Sequence, residues 1–230
     1  MPNDMQTEIT PKYELYVFDW DGTIMDTTAL IAKGIQEAAK ALGCREPDFK
    51  AAKSAIGLGW EEIMRRIVPD CPESRWGEFG QAYRDWYIRR EEEVPVVEGL
   101  ETLLKAMNDK GLRLAVATGK SRAGLNRVFA LTGLTPLFEE TITVDESFSK
   151  PNPAMLYELS NRTGVPCNKM VMIGDSVHDL MLAQNAGADA LGVSYGGCSK
   201  EELEKYPNIG IAADTQELAR ILGLESLLNG

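Results

Sequence analysis

Residues 14–23 read ELYVFDWDGT, a short apolar run that stops at two aspartates and a glycine. A run this short before a glycine turn is typical of a buried strand that ends in a loop. If the strand continues through Asp19 and Asp21, its two-residue period places both carboxylates on one side. Two carboxylates about 4 Å apart repel by roughly 4 kcal/mol at an effective dielectric near 20. Asp-Gly is also common in plain turns, so the pair alone does not establish a site.

The chain after Val94 alternates between apolar runs and segments of helical periodicity. This pattern predicts strands over residues 112–117, 141–144, 169–173 and 190–193, and helices over residues 100–107, 124–131, 153–162 and 179–186. Strands that alternate with helices favour a parallel sheet covered on both faces. We therefore predict an α/β fold with a Rossmann-like parallel sheet at its core.

Residues 27–90 have a different character, because their apolar residues recur only at helical spacing. Ile31, Ile35 and Ala38 begin this pattern, and Trp76, Phe79, Tyr83 and Trp86 continue it. We predict an all-helical unit inserted after the first strand. The expected organisation is a flexible polar leader over residues 1–12, an α/β core domain over 13–26 and 95–230, and a helical domain over 27–94.

Polar residues stand at the ends of four predicted strands, where ligands bind in an open parallel sheet. They are Asp19 and Asp21, then Thr118-Gly119-Lys120, then Ser149-Lys150-Pro151, and finally Gly174-Asp175-Ser176 with Asp179 one helical turn further on. Asp175 adds a third negative charge to the first pair. Such a cluster needs a cation, and oxygen ligands beside a phosphorylated substrate indicate Mg²⁺.

These residue types suit phosphoryl transfer, which needs a nucleophile, an acid–base group and positive charge around the transferred oxygens. Asp19 can attack as a carboxylate, and Asp21 can move the proton. Thr118, the Gly119 amide and Lys150 can hold the phosphoryl oxygens. Thr118 could instead cap a helix, and Lys150 could be a solvated loop lysine.

Composition excludes several other functions. The formal charge is −11 without a basic block, which argues against a nucleic-acid or anionic-membrane partner. The apolar stretches are too short to span a membrane. The four cysteines fit neither a zinc site nor a disulfide framework, which favours reduced cysteines and a cytoplasmic location. His178 is the one histidine, so a Ser–His–Asp triad is not expected, and we assign His178 to packing or solvent.

The motifs taken together resemble those of the haloacid dehalogenase superfamily. Residues 19–23, Asp-Trp-Asp-Gly-Thr, resemble its first motif, and Thr118 and Lys150 resemble the second and third. Residues 174–179, Gly-Asp-Ser-Val-His-Asp, resemble the fourth, and all four occur in family order. The helical insertion resembles the small mobile cap of the phosphoglycolate phosphatase-like branch.

The resemblance implies a Mg²⁺-dependent phosphatase that acts on a small phosphorylated metabolite through an aspartyl-phosphate, with phosphoglycolate the first candidate. Asp19 would be the nucleophile and a metal ligand, and Asp21 the acid–base residue with its backbone carbonyl on the metal. Asp175 would be the remaining direct metal ligand. Ser176 and Asp179 would support the site without contacting the metal, Asp179 by steadying water or Lys150.

The sequence also departs from the family pattern. Gly119 stands where many relatives have Asn, and Trp20 where Leu is more usual. Phosphonate-cleaving relatives favour Trp there but lack the second Asp, so Lys53 would be a Schiff-base residue only under that minority view. Trp60, after the glycines of residues 57–59, could face the site. The alternatives left open are a sugar-phosphate mutase and a non-catalytic binding or regulatory module that kept the fold.

Overall fold

The computed structural model describes residues 11–228. The predicted leader therefore lies outside the described residues, apart from Pro11 and Lys12. Within residues 11–228, six strands form a single sheet in which every pair is parallel. The strands are β1 (Leu15–Phe18), β2 (Leu114–Thr118), β3 (Glu140–Thr143), β4 (Met170–Gly174), β5 (Asp189–Val193) and β6 (Ile211–Ala212).

The sheet has the order β3-β2-β1-β4-β5-β6. Strand β1 lies between β2 and β4, with Tyr16 opposite Leu114 and Val171. Every residue of these three strands is buried, which explains why they read as continuous apolar runs. The predicted α/β fold with a parallel sheet is confirmed, and β6 is a strand that the sequence did not predict.

Ten α-helices are found in the part of the chain that the structure describes. They are α1 (Thr28–Ala41), α2 (Phe49–Lys53), α3 (Trp60–Ile67), α4 (Trp76–Ile88), α5 (Leu100–Asp109), α6 (Arg122–Thr132), α7 (Ala154–Thr163), α8 (Val177–Ala186), α9 (Lys200–Leu203) and α10 (Thr215–Leu222). Single 3₁₀ turns occupy Glu73–Arg75, Glu91–Glu93, Thr135–Leu137, Cys167–Lys169 and Glu225–Leu228. None of the described helices is both long and apolar enough to cross a bilayer.

The sheet is covered on both faces because successive side chains of each strand point in opposite directions. Tyr16 and Phe18 of β1 pack into a cluster that includes side chains of α5, α6 and α10. Leu15 and Val17 pack into a second cluster with side chains of α7 and α8. The alternation thus builds two cores, one on each side of the sheet.

The chain between β1 and α5 consists of helices and turns. A third cluster lies entirely within this segment, where Ile35, Met64 and Phe79 are fully buried. The segment begins and ends at one place, because Met25 forms an isolated antiparallel bridge with Val96. The helical segment therefore has its own apolar core and two adjacent connections to the sheet.

Candidate active site

The sheet order sets the position of the site. From β1 the chain continues to β2 and β3 on one side of the sheet, whereas from β4 it continues to β5 and β6 on the other side. The connections that follow β1 and β4 therefore diverge and leave a crevice between them. Asp19 directly follows β1, and Asp175 directly follows β4. The sequence allowed a strand that continues through Asp19 and Asp21. This continuation is not found, because β1 ends at Phe18.

Three carboxylates meet at this crevice. One oxygen each of Asp19, Asp175 and Asp179 lies within 4.8 Å of the others, and all three residues are buried. Asp179 is held in the first turn of α8, where its Oδ2 accepts hydrogen bonds from Ser176 N at 3.0 Å and Ser176 Oγ at 2.6 Å. Ser176 thereby fixes the carboxylate of Asp179 behind the other two.

Lys150 is the cation that faces these carboxylates. Its Nζ lies 2.6 Å from Asp179 Oδ1 and 3.1 Å from Asp19 Oδ2. Its side chain is 3% exposed, so the alternative of a solvated loop lysine is wrong. Three carboxylates against one ammonium leave an excess of negative charge in a buried place.

Burial, together with that excess of negative charge, raises the pKa values of two of these carboxyls. Burial raises the pKa of Asp19 to about 7, with the charges of Asp179 and Asp21 adding to the rise and Lys150 opposing it. Burial, Asp179 and Asp19 raise the pKa of Asp175 well above its usual range. A divalent cation would relieve both shifts, and clustered carboxylate oxygens are the ligands that Mg²⁺ prefers. The residues present therefore fit such an ion.

Two glycines allow the chain to pass close to Asp175. Gly22 has a φ of +77°, and a Cβ at this position would lie 2.0 Å from Asp175 Oδ2. A Cβ at Gly196 would lie 2.3 Å from Asp175 Cβ. The backbone N–H of Gly197 donates to Asp175 Oδ2. Gly22 belongs to the motif at residues 19–23, whereas Gly196 and Gly197 lie outside all four sequence motifs.

Asp21 has different neighbours from Asp19. Its Oδ1 lies 3.1 Å from Lys120 Nζ and accepts a hydrogen bond of 3.4 Å from Tyr87 Oη. Lys120 is also 3.2 Å from the buried carboxylate of Glu91. No role was predicted for these three neighbours. Lys120 could have been found from its place at a strand end, whereas Glu91 looks like any member of the acidic run over residues 91–93.

A cavity of about 610 Å³ opens beside Asp19 and Asp21 and is also lined by Thr118, Gly119 and Lys150. The cap of α6 is Ser121, whose hydroxyl accepts from Gly124 N, so the alternative of Thr118 as a helix cap is wrong. A Cβ at Gly119 would meet no atom within 4 Å, so the space next to this backbone position is open.

The remaining candidates divide into two groups. Trp60 and Tyr83 line the cavity, although Trp60 begins α3 and does not lie in the preceding loop. Tyr83 and Phe79 also belong to the core of the helical segment. Lys53 is not part of the cavity lining. His178 is partly buried, and its Nδ1 has no hydrogen-bond partner among the described residues.

Comparisons with known proteins identify relatives of this chain. A relative from Dickeya dadantii (strain 3937), named "Probable phosphatase IndB", is 32% identical over 201 residues, which cover 83% of this chain and 85% of the relative. A phosphoglycolate phosphatase from Vibrio parahaemolyticus serotype O3:K6 is 23% identical over 222 residues, which cover 93% of this chain and 97% of that protein.

A solved structure shares the fold. It is that of a predicted phosphoglycolate phosphatase from Haemophilus somnus 129pt, with a TM-score of 0.83 at 22% identity, covering 93% of this chain and 99% of that chain. The model of the haloacid dehalogenase-like hydrolases matches residues 16–193. The resemblance inferred from the four motifs is confirmed, and the chain belongs to the haloacid dehalogenase-like hydrolase family.

Proposed function

We propose that the chain is a Mg²⁺-dependent phosphatase that hydrolyses a small phosphorylated metabolite through a phosphorylated Asp19. The observation that carries this proposal is the buried group of Asp19, Asp175 and Asp179 around Lys150, at the mouth of a cavity that a substrate can enter. A nucleophile and a phosphoryl-binding cation therefore stand side by side.

Asp19 is the proposed nucleophile. A carboxylate oxygen of Asp19 attacks phosphorus, the bond between phosphorus and the leaving oxygen breaks, and an aspartyl-phosphate forms. Asp19 Oδ1 accepts a hydrogen bond of 2.6 Å from Trp20 N, and Oδ2 faces Lys150. These two contacts fix the side chain, so the attacking oxygen is oriented before the substrate arrives.

Asp21 is the proposed acid–base residue. As an acid it gives its proton to the leaving oxygen in the first step. It then takes a proton from the water that attacks the aspartyl-phosphate, and the bond between phosphorus and the Asp19 oxygen breaks. Lys120 Nζ lies 3.1 Å from Asp21 Oδ1 and orients the carboxyl group that is proposed to move the proton.

Asp19 and Asp175 would hold Mg²⁺ together with the backbone carbonyl of Asp21. When bound, the ion neutralises charge on the transferred phosphoryl oxygens. Lys150, Thr118 and the Gly119 amide would hold the same oxygens. Ser176 supports Asp179, and Asp179 holds the ammonium of Lys150 by its 2.6 Å contact.

The helical segment over residues 27–94 is the proposed cap domain on a core of residues 13–26 and 95–230. Its residue Trp60 lines the cavity together with Asp19 and Lys150. We therefore expect Trp60→Ala to change the preference among phosphate esters. Lys150→Ala should lower kcat/KM for all esters by a hundredfold or more, because removing one such contact costs on the order of 3 kcal/mol.

Phosphate release from a generic aryl phosphate, with Mg²⁺ and with excess chelator, tests the proposal. Wild-type protein should turn over only with Mg²⁺, Ca²⁺ should substitute poorly, and Asp19→Asn should be inactive. Asp26→Asn, which changes an exposed carboxylate seven positions later, is the matched control and should keep its activity.

Other outcomes would identify the alternatives. Interconversion of phosphate isomers without net phosphate release would indicate a mutase. An absence of turnover across a panel of phosphorylated metabolites would indicate a binding module. Phosphoglycolate belongs in that panel first, because it is the substrate in the name of the Vibrio relative.

A further inference from the structure

The cavity beside Asp19 has a group of apolar side chains in its lining. Six apolar side chains of this lining, here called the apolar wall, are Ile31, Ile35, Ile56, Leu58, Trp60 and Ile63. These side chains come from α1, the loop before α3 and α3 itself. In the proposed reaction the phosphoryl group sits at Asp19, so the apolar wall faces the leaving group. The wall therefore decides which leaving groups the site accepts.

Charge in the cavity favours a neutral leaving group. Among the described residues that line it, Lys150 is the one cation, and it already contacts Asp19 and Asp179. The other charged residues of the lining are acidic, and they include Glu61 and Glu62. A carboxylate or second phosphate on the substrate would meet acidic side chains and find no free cation among these lining residues, which is unfavourable.

The start of α3 does not supply the positive charge that an anionic leaving group would need. The first N–H groups of a helix can bind an anion. In α3, however, the first turn contains Glu61 and Glu62. Glu62 pairs with Arg66 at 2.6 Å, which leaves the negative charge of Glu61 at this helix end. The start of α3 in the cavity lining thus carries negative charge of its own, which does not favour an anionic leaving group.

The size of the cavity indicates the same class of substrate. Phosphoglycolate and diphosphate each have about nine non-hydrogen atoms, which fill about 270 Å³ even at the roughly 30 Å³ that a water molecule occupies in the liquid. The cavity measures about 610 Å³. A small anion would leave more than half of it to water against apolar side chains.

We infer that the substrate is a phosphate monoester whose leaving group is neutral, mainly apolar and larger than two carbons. This inference rests on the proposed phosphatase function and narrows its substrate. Leu58 and Trp60 contact the leaving group, while Lys150 contacts the phosphoryl group common to all esters. Phosphoglycolate and diphosphate are then poor substrates.

A homologous series of ethyl, butyl and hexyl phosphate tests the inference on the wild-type protein with Mg²⁺. The leaving alcohols have nearly the same intrinsic reactivity, so differences in kcat/KM report binding of the alkyl chain. Each buried methylene should raise kcat/KM about fourfold, or on the order of a hundredfold from ethyl to hexyl. Phosphoglycolate, which replaces the methyl of ethyl phosphate by a carboxylate, should be at least tenfold worse than ethyl phosphate.

A charge placed in the wall provides the second test. Leu58 is half-buried in a loop, so Leu58→Lys can be accommodated without a break in a helix. The variant should lose the preference for hexyl phosphate and should improve on phosphoglycolate relative to ethyl phosphate. Leu131→Lys makes the same change at a leucine of α6 that is 46% exposed and outside the lining, and should leave the selectivity unchanged.

Three results are possible, and each is decisive. A rise along the alkyl series with phosphoglycolate below ethyl phosphate supports the inference. A flat or falling series, or a preference for phosphoglycolate or diphosphate, overturns it while leaving a working phosphatase. Failure to release phosphate from any ester with Mg²⁺ overturns the proposed function itself, and the inference with it.

Discussion

Asp19→Asn is expected to stabilise the metal-free protein, and to do so more strongly as the pH rises. Burial raises the pKa of Asp19 from 3.8 to about 7 in the folded protein. The folded state therefore holds a proton that the unfolded state releases, so wild-type stability falls as the pH rises from about 3.8 to about 7. Asn resembles the protonated carboxyl and has no charge to bury, so the variant escapes this loss.

The size of the effect follows from the pKa shift. A rise of about three units corresponds to about 4 kcal/mol once Asp19 is ionised in both states, at pH 8. At pH 5.5 the same linkage gives about 2 kcal/mol, and below pH 3.8 the difference vanishes. The opposing attraction of Lys150 is already included in the pKa.

Urea unfolding in excess chelator at pH 5.5 and pH 8 measures this difference. With a slope of about 2–3 kcal/mol per molar urea, the Asp19→Asn midpoint should exceed the wild-type midpoint by about 1.3–2 M at pH 8 and by about half of that at pH 5.5. Asp26→Asn, the exposed control, should match wild type at both pH values. Equal midpoints for wild type and Asp19→Asn at pH 8, or a difference independent of pH, would show that the pKa of Asp19 is not raised in the folded protein.

Two further changes test the surroundings of the site. Gly22→Ala should lower kcat/KM more than a hundredfold, because the new Cβ would overlap Asp175 Oδ2. Gly43 has a similar positive φ but open space around it, so Gly43→Ala is the control. It should cost only about 1 kcal/mol of stability and keep its activity. Equal kinetics in the two variants would show that the close approach is unimportant. Glu91→Gln should lower the free energy of unfolding by about 3 kcal/mol, because Glu91 is buried between Lys120 and Arg127. Glu92 is exposed, so Glu92→Gln should leave the free energy of unfolding unchanged. Matching urea midpoints for the two Gln variants would argue against a buried ion pair.

The parallel sheet could be predicted from the sequence because its central strands are buried on both faces. Such strands give continuous apolar runs, and Asp19 and Asp175 stand where two of those runs stop. Strand β6 has only two residues, which is too short for a periodic signal, and its place depends on pairing with β5. The helix α10 that follows it was likewise not predicted.

The residues around Asp21 were harder to predict from the sequence than the rest of the site. Glu91 is buried because Lys120 and Arg127 reach it from another part of the chain. In the sequence it is one member of a charged run, and such runs usually face solvent. Its burial is a property of the tertiary structure, so no local pattern could have revealed it.

Identification of the phosphorylated residue is the decisive experiment for the role of Asp19. Wild-type protein should be mixed with a phosphate ester and Mg²⁺, quenched in acid during turnover, digested and analysed by mass spectrometry. We expect a phosphoryl group on Asp19 in the peptide that contains residues 14–23, and none in Asp19→Asn. Full turnover with no phosphoryl group on Asp19, or near-normal activity of Asp19→Asn, would contradict this role.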